Sequence, residues 1–461
     1  MKSSRQDLGK GSVPKLVLGL AVPAMIAQFV NVLYSLIDRV YIGNIPGVGD
    51  LALAGVGVCG PIVTLLSSFG TLVGLGGSIL MAIRMGEGNN AAARKVLANC
   101  FLMLVGLSAL LTAGFLICRE PLLRCFGASD ATFPYADTYL TIYTAGTFFA
   151  LMAVGLNYFI TCQGYSTVGM AAVLIGAVAN IILDPVFIFA LNMGVAGAAA
   201  ATVLSQFLSC AFTAWFLFCK PPIRIGLCRP DFPLMFRVAG MGFPPFLILA
   251  TDSIILIAMN AVLQYYGGPE QGDALIACAT IVQSCMALIT GPMLGISSGT
   301  QAILSYNYGA CRSDRVRQAA RCVLRMCLGF TVIMFVVFQL LAGQIVRIFT
   351  SDASLLELSA WGLRVFTLGI IPLAVQYARV DGLTALARTR TSLALSLFRK
   401  VGFVLLTLAL PAFFGARAAF YAEPLADVIS ACVSGTVFVL VFEPQLARRE
   451  FHAAEQLSRE D

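Results

Sequence analysis

The chain has 461 residues, 59% hydrophobic and only 11% charged, with a mean hydropathy of +0.88 and a formal net charge of +7. Soluble domains carry about a quarter of their residues as charges, so this composition excludes a soluble globular protein and indicates an integral membrane protein. The Lys and Arg residues are dispersed rather than gathered in one patch, which removes nucleic acid as a partner.

Apolar runs of about 20 residues, enough to cross about 30 Å of hydrocarbon, recur along the whole chain. They predict an all-α membrane protein of twelve transmembrane helices, at about 15–42, 52–80, 96–117, 136–160, 168–191, 195–218, 238–265, 274–303, 322–348, 361–385, 393–414 and 418–442. The run from Leu16 to Gly43 is too long for the core of a signal peptide and reads as the first span. The N-terminus (Lys2, Arg5), the even-numbered connections and the tail (Arg459) hold 23 Lys and Arg, with Arg388, Arg390, Arg399 and Lys400 assigned to the connection before span 11. The opposite side holds 5, so the positive-inside rule predicts both termini in the cytoplasm of a multi-pass protein.

Fourteen cysteines occur without a Cys-x-x-Cys pair, mostly inside spans, and read as small packing residues. The one histidine, His452, falls in the polar tail, which leaves carboxylates for any proton chemistry within the membrane. The stretch "GLGGS" (74–78) lies in an apolar span without a following Lys-Ser/Thr, so it is no phosphate loop, and an ion gradient is the expected drive. No cofactor is expected.

The two halves repeat. "LALAGVGVCGPIVTLL" (51–66) lies over "ALIACATIVQSCMALI" (274–289), Gly76 and Gly86 fall on Gly299 and Gly309, and Thr144-Ala-Gly146 meets Thr367-Leu-Gly369, all at an offset of 223. At 222, Pro23 meets Pro245 and Asp38 meets Asn260. Six spans per copy is an even number, so the copies are parallel and related by a pseudo-twofold axis along the membrane normal, as in secondary transporters. The expected organisation is a six-helix lobe over 1–219, a Pro- and Arg-rich linker over 220–237 and a second six-helix lobe over 238–461.

Carboxylates inside spans are expensive and therefore informative. Asn180 and Asp184, four residues apart, share one helix face, and Pro185 removes the next backbone donor. Asp184 lies about 24 Å along its span, at a depth similar to that of Asp38, so the two could share a proton or hold a cation between them. Alternatively, Asp38 is interfacial beside a snorkelling Arg39. Gln28, Asn31, Asn260, Gln283 and Gln301 are polar residues inside spans 1, 7 and 8. With Phe29, Tyr34, Met259 and Met286 they read either as the lining of a substrate cleft or as ordinary helix packing.

Three stretches, "VLYSLIDRVYIGNIPGVG" (32–49), "NIILDPVFIFALNMGVAGAAAATVLSQ" (180–206) and "GPMLGISSGTQAILSYNYGACRSDRV" (291–316), resemble the multidrug and toxic compound extrusion (MATE) family, and "YNYGA" and "LYxxxD" are most similar to its MepA-like bacterial branch. The resemblance covers about residues 13–445. It implies a two-lobed antiporter of the bacterial plasma membrane that exports amphipathic, often cationic small molecules in exchange for inward H⁺ or Na⁺. It places the cation or proton site on Asp38, Asn180 and Asp184, with Asn157 and Thr202 as neighbours. Asp252, near mid-span in "GFPPFLILATDSIILIAMN", resembles an acidic position of another branch; it is a substrate-facing anion, a second coupling carboxylate, or a neutral acid bonded to Thr251 or a neighbouring helix. Asp381, with Arg379 close by, reads as local charge balance. Ala302 follows Gln301 where the branch usually has Pro, a departure that bears on the shape of span 8. The alternative cargo is a lipid or lipid-linked oligosaccharide, against which the intramembrane acids argue. A membrane-embedded enzyme would need a cluster of catalytic groups that the short connections do not supply. Nothing in the chain calls for an oligomer, so the monomer is the expected working unit.

Overall fold

The computed structural model describes residues 6–226, 228–349 and 352–460, and among these every regular element is helical. Lys2 and Arg5, used above for orientation, and the side chains of His452 and Arg459 lie outside the described residues. The order is α1 (Val13–Gly43), α2 (Gly49–Gly86), α3 (Asn90–Ile117), a short α4 (Arg119–Cys125), α5 (Phe133–Ala145), α6 (Thr147–Cys162), α7 (Ser166–Pro185) and α8 (Gly194–Cys219). There follow α9 (Phe232–Gly299), α10 (Gln301–Gly309), α11 (Ser313–Val346), α12 (Ala353–Phe366), α13 (Ile370–Ala385), α14 (Thr389–Phe414) and α15 (Ala422–Glu460). Eleven helical stretches are long and apolar enough to span a membrane, and α5 with α6, bent by 56°, makes the twelfth. The fold is thus twelve transmembrane helices in two six-helix lobes.

Local chemistry sets the ends and breaks. Asn89 caps α3 by accepting from the Ala92 N–H at 2.9 Å, and Asp352 caps α12 through the N–H groups of Ser354 and Leu355. α9 is two helices broken at Gly268, whose φ of 62° favours glycine. Span 8 is interrupted at Thr300, between α9 and α10, beside the position where Ala302 stands.

The two matched Thr-x-Gly triplets mark the same event twice. Span 4 bends between α5 and α6 at Gly146, and span 10 passes from α12 to α13 through a 3₁₀ turn, Thr367–Gly369. Neither glycine has room for a side chain: a Cβ would sit 2.5 Å from Val203 at Gly146, and 2.7 Å from the Pro424 backbone at Gly369.

Two compact units are present, one of Met1–Gly11 with Ile26–Ala250 and one of Ser12–Met25 with Thr251–Asp461. In the first, α2 packs on α3 and α6, and α8 on α5, α6 and α7. In the second, α13 packs on α11 and α15, and α15 also on α14, around an apolar core that includes Met259, Met286, Phe366 and Phe420. Met259 and Met286, candidates for a substrate face, are core residues of this structure. All fourteen cysteines are free.

The segment expected as a linker is fastened to the first unit. Gln163 donates from Nε2 to the Ile223 carbonyl at 3.1 Å and accepts the Ile223 N–H at 3.2 Å. Asn99 Oδ1 accepts the Asp231 N–H at 2.8 Å, and Lys95 pairs with the Asp231 carboxylate at 2.6 Å. The Lys95 ammonium and the Leu234 N–H hold the Asp231 carboxyl below its ordinary range. Its ionised form therefore supports the clasp at neutral pH, and that support is lost as acid protonates it.

Replacing Gln163 and Asn99 together by Ala leaves buried backbone groups of this segment unpaired. The expected loss of about 1–2 kcal/mol of local stability speeds tryptic cleavage at Arg224 and Arg229 roughly 5–30-fold in the detergent-solubilised chain. An unchanged cleavage rate would show that the clasp does not hold the segment.

Candidate functional site

The first unit gathers the predicted carboxylates. Asn180 and Asp184, 2% and 0% exposed, lie one turn apart on α7. Asn180 donates from Nδ2 to Asp184 Oδ1 at 3.1 Å and to the Thr202 hydroxyl of α8 at 3.4 Å. Asp38, from α1, brings its carboxyl within hydrogen-bonding reach of Asp184. Even so, Asp38 Oδ1, Asp184 Oδ2 and Asn180 Oδ1 are all buried without a donor. Two ionised carboxylates have no hydrogen to give one another, so this geometry is satisfied when a proton or a cation lies between them. Arg39 is exposed and makes no ion pair with Asp38 among the described residues. Directly after Asp184, Pro185 gives way to a π-helical turn, Val186–Ala190, a local widening of the helix next to the site.

Phenols close the site. Tyr34, read in the sequence as cleft lining or helix packing, lies within the electrostatic reach of Asp38, Asp184 and Tyr143. Tyr139 lies beside Thr202, and the Tyr143 hydroxyl meets Ser67 at 3.4 Å and accepts from Gln206 at 3.2 Å. Tyr139, Tyr143, Ser67 and Gln206 were not anticipated. The available signal was spacing: Tyr34/Asp38, Tyr139/Tyr143, Asn180/Asp184 and Thr202/Gln206 are all polar pairs four residues apart on four helices. Asn157 stands away from this group. Its side chain faces Gly169, eleven residues and so about 16 Å along α7 from Asn180.

The other predicted residues divide between the units, with Gln28 and Asn31 in the first and Asp252, Met259, Asn260, Gln283 and Gln301 in the second. Gln283 contacts the Met259 sulfur at 3.6 Å, and Gln301 is buried beside Asp381.

Charges of the second unit correct three expectations. Arg399 and Lys400, counted above in a connection, lie inside α14, Arg399 about 15 Å from its start at Thr389. Arg399 pairs through Nη2 with Glu423 at 2.5 Å and through Nε with Asp427 at 2.7 Å, both on α15; Asp427 is 0% exposed. Asp252 is not a lone acid: it forms an ion pair with Lys400. Asp381 accepts from the Ser297 hydroxyl at 2.5 Å, while Arg379 stacks 4.3 Å from the Phe438 ring centre, so these two do not balance one another. In the second unit Asp252, Glu423 and Asp427 thus have cations beside them, whereas Asp38 and Asp184 of the first have none in an ion pair among the described residues.

The MatE family pattern matches residues 23–186 and 244–408, the two halves of the repeat. An FAD transporter of Shewanella oneidensis is 24% identical over 437 residues, covering 92% of this chain and 94% of that protein. The multidrug export protein MepA of Staphylococcus saprophyticus is 22% identical over 438 residues, covering 94% and 95%. Among solved structures, a MOP-superfamily transporter from Pyrococcus furiosus superposes with a TM-score of 0.88 at 23% identity, over 95% of this chain and 98% of that one. With both halves of its repeat matched and twelve spans in two lobes, the chain belongs to the MATE family of transporters.

Proposed function

We propose that this protein is an antiporter of the bacterial plasma membrane, with both termini cytoplasmic, that exports amphipathic, often cationic compounds in exchange for inward H⁺ or Na⁺ by alternating access of its lobes. The observation that carries the reading is the set of three buried, donor-free oxygens on Asp38, Asn180 and Asp184. Hard oxygens suit Na⁺, and two facing carboxyls suit a shared proton. Either ligand removes the same electrostatic fault, and losing it restores the fault. Loaded and unloaded states therefore differ in the force between α1 and α7, which is the differential interaction that ion-driven conformational change needs. MepA relatives are named multidrug exporters, and none of the relatives cited here is named a lipid flippase.

In everted vesicles, uptake of a fluorescent cationic dye is expected under an imposed H⁺ or Na⁺ gradient, and Asp184→Asn should reduce it to the level of vesicles lacking the protein. Full gradient-driven uptake by that variant would sink the proposal.

Asp38→Asn separates the site's electrostatics from transport. Its carboxamide can donate to Asp184 and removes one of two facing like charges, so at pH 8 without Na⁺ the folded state should gain about 1–3 kcal/mol while coupled uptake is lost. Thermal unfolding in detergent reads the first effect; a lower midpoint would mean that the carboxyls are not apposed.

A further inference from the structure

One guanidinium of the second unit serves two acids. Arg399 lies about 15 Å along α14 from Thr389 and about 22 Å before its end at Phe414, well inside the span. Its Nη2 meets Glu423 at 2.5 Å and its Nε meets Asp427 at 2.7 Å. The other cation that reaches these acids, Lys400 of α14, is engaged by Asp252. From α13 the Tyr377 phenol faces the group. The Thr367–Gly369 turn brings no charge, and Arg417, in the turn before α15, stands over the Trp361 ring at 6.0 Å. Three acids thus share two cations, so with every group ionised one negative charge is left over inside the membrane.

The surplus falls on Asp427. Glu423 stands in the first turn of α15, where the positive end of the helix favours an ionised carboxylate. Asp427, one turn further on and 0% exposed, gives Oδ1 to Arg399, while its Oδ2 is buried without a donor among the described residues. Protonation of Oδ2 neutralises the acid and leaves Oδ1 able to go on accepting from Arg399. On the side of Oδ2 toward Gly369 there is no room even for a methyl group, which would lie 2.9 Å from Oδ2 and 2.7 Å from the Pro424 backbone. A metal cation needs a shell of oxygens at such a point; a proton needs none. At the repeat offset of 223, Arg399 and Asp427 fall on Gly176 and Leu204, so they occupy the counterparts of α7 and α8, the helices that carry Asn180, Asp184 and Thr202.

We propose that Asp427 is a proton-binding site of the second unit, selective for H⁺ over Na⁺, beside a fixed Glu423–Arg399 ion pair that sets its proton affinity. With the proton bound, the group of Arg399, Glu423 and Asp427 is neutral. Without it, the group carries one net negative charge within the span, and Arg399 draws Asp427 more strongly. The two states therefore differ in the force between α14 and α15, which gives a proton a hold on this helix pair. A proton bound here adds to whatever ion the first unit takes up. Its use, a further proton exchanged in each transport cycle, rests on the antiport reading; its binding does not.

The test is infrared spectroscopy of the purified full-length chain in phosphatidylcholine vesicles, reading the carbonyl stretch of protonated carboxyls. The wild-type spectrum minus that of Asp427→Asn at pH 7 should show one such band, and saturating Na⁺ should leave it in place. In Glu423→Gln, Asp427 becomes the one anion paired with Arg399 and releases its proton more readily. The pH at which the band is half lost should then fall by at least about one unit, a tenfold change in proton affinity. A purely structural Glu423 would not move that midpoint, and this variant supplies a reading if Asp427→Asn does not fold. A difference spectrum without the band, a band abolished by Na⁺, or an unmoved midpoint in Glu423→Gln overturns the proposal. No gradient or cargo is involved, so the band in a protein that fails the vesicle assay would keep the proton site and remove antiport; dye uptake without the band would do the opposite.

Discussion

A charge in hydrocarbon has to be neutralised by something within reach, and the arrangement of both units follows from how each meets that demand. In the second unit the answer is internal: Arg399 sits between Glu423 and Asp427, and Lys400 against Asp252. In the first, Asp38 and Asp184 face one another with oxygens that no described donor reaches. One fold repeated twice has thus produced a cluster with its own cations in one copy and a pair of acids without an ion-pair partner among the described residues in the other.

Helix breaks serve this division. The bend at Gly146 in span 4 sets α5, with Tyr139 and Tyr143, at an angle to α6 and brings its phenols to Thr202 and Gln206 of α8. The corresponding 3₁₀ turn in span 10 ends at Gly369, where a Cβ would lie 2.9 Å from Asp427 Oδ2. A bulkier residue would have to displace Val203 at the first place and Pro424 or Asp427 at the second. The repeated triplet is conspicuous in the sequence because each copy must leave room at the same point.

Much of the fold was legible because hydrophobic length is a local property: the twelve spans and the two-lobed repeat need only windows of about 20 residues and one constant offset. Asn180 with Asp184 was legible for the same reason, being one helical turn apart. The second unit's charges were not, because the partners of Arg399 and Lys400 come from other helices, and a rule that assigns basic residues to loops has no place for an intramembrane Arg already paired. Tyr34 was read as aromatic lining, since its nearness to the carboxyls of α1 and α7 depends on how the helices pack. Likewise, nothing in a linear pattern distinguishes Met259 on a core face from Met259 on a binding face.

The pairing of α14 with α15 also bears on how the chain enters the membrane during synthesis. Taken alone, α14 asks a translocon to release into lipid a helix with two cations near its centre, each opposing insertion by about 2.5–3.5 kcal/mol. The counter-charge Asp427 follows Arg399 by 28 residues. At about 5–20 residues per second, those residues take roughly 1–6 s to make. Over that interval Arg399 must stay in the aqueous passage or against protein until α15 follows, whereas Lys400 has its counter-charge, Asp252, on a helix made earlier.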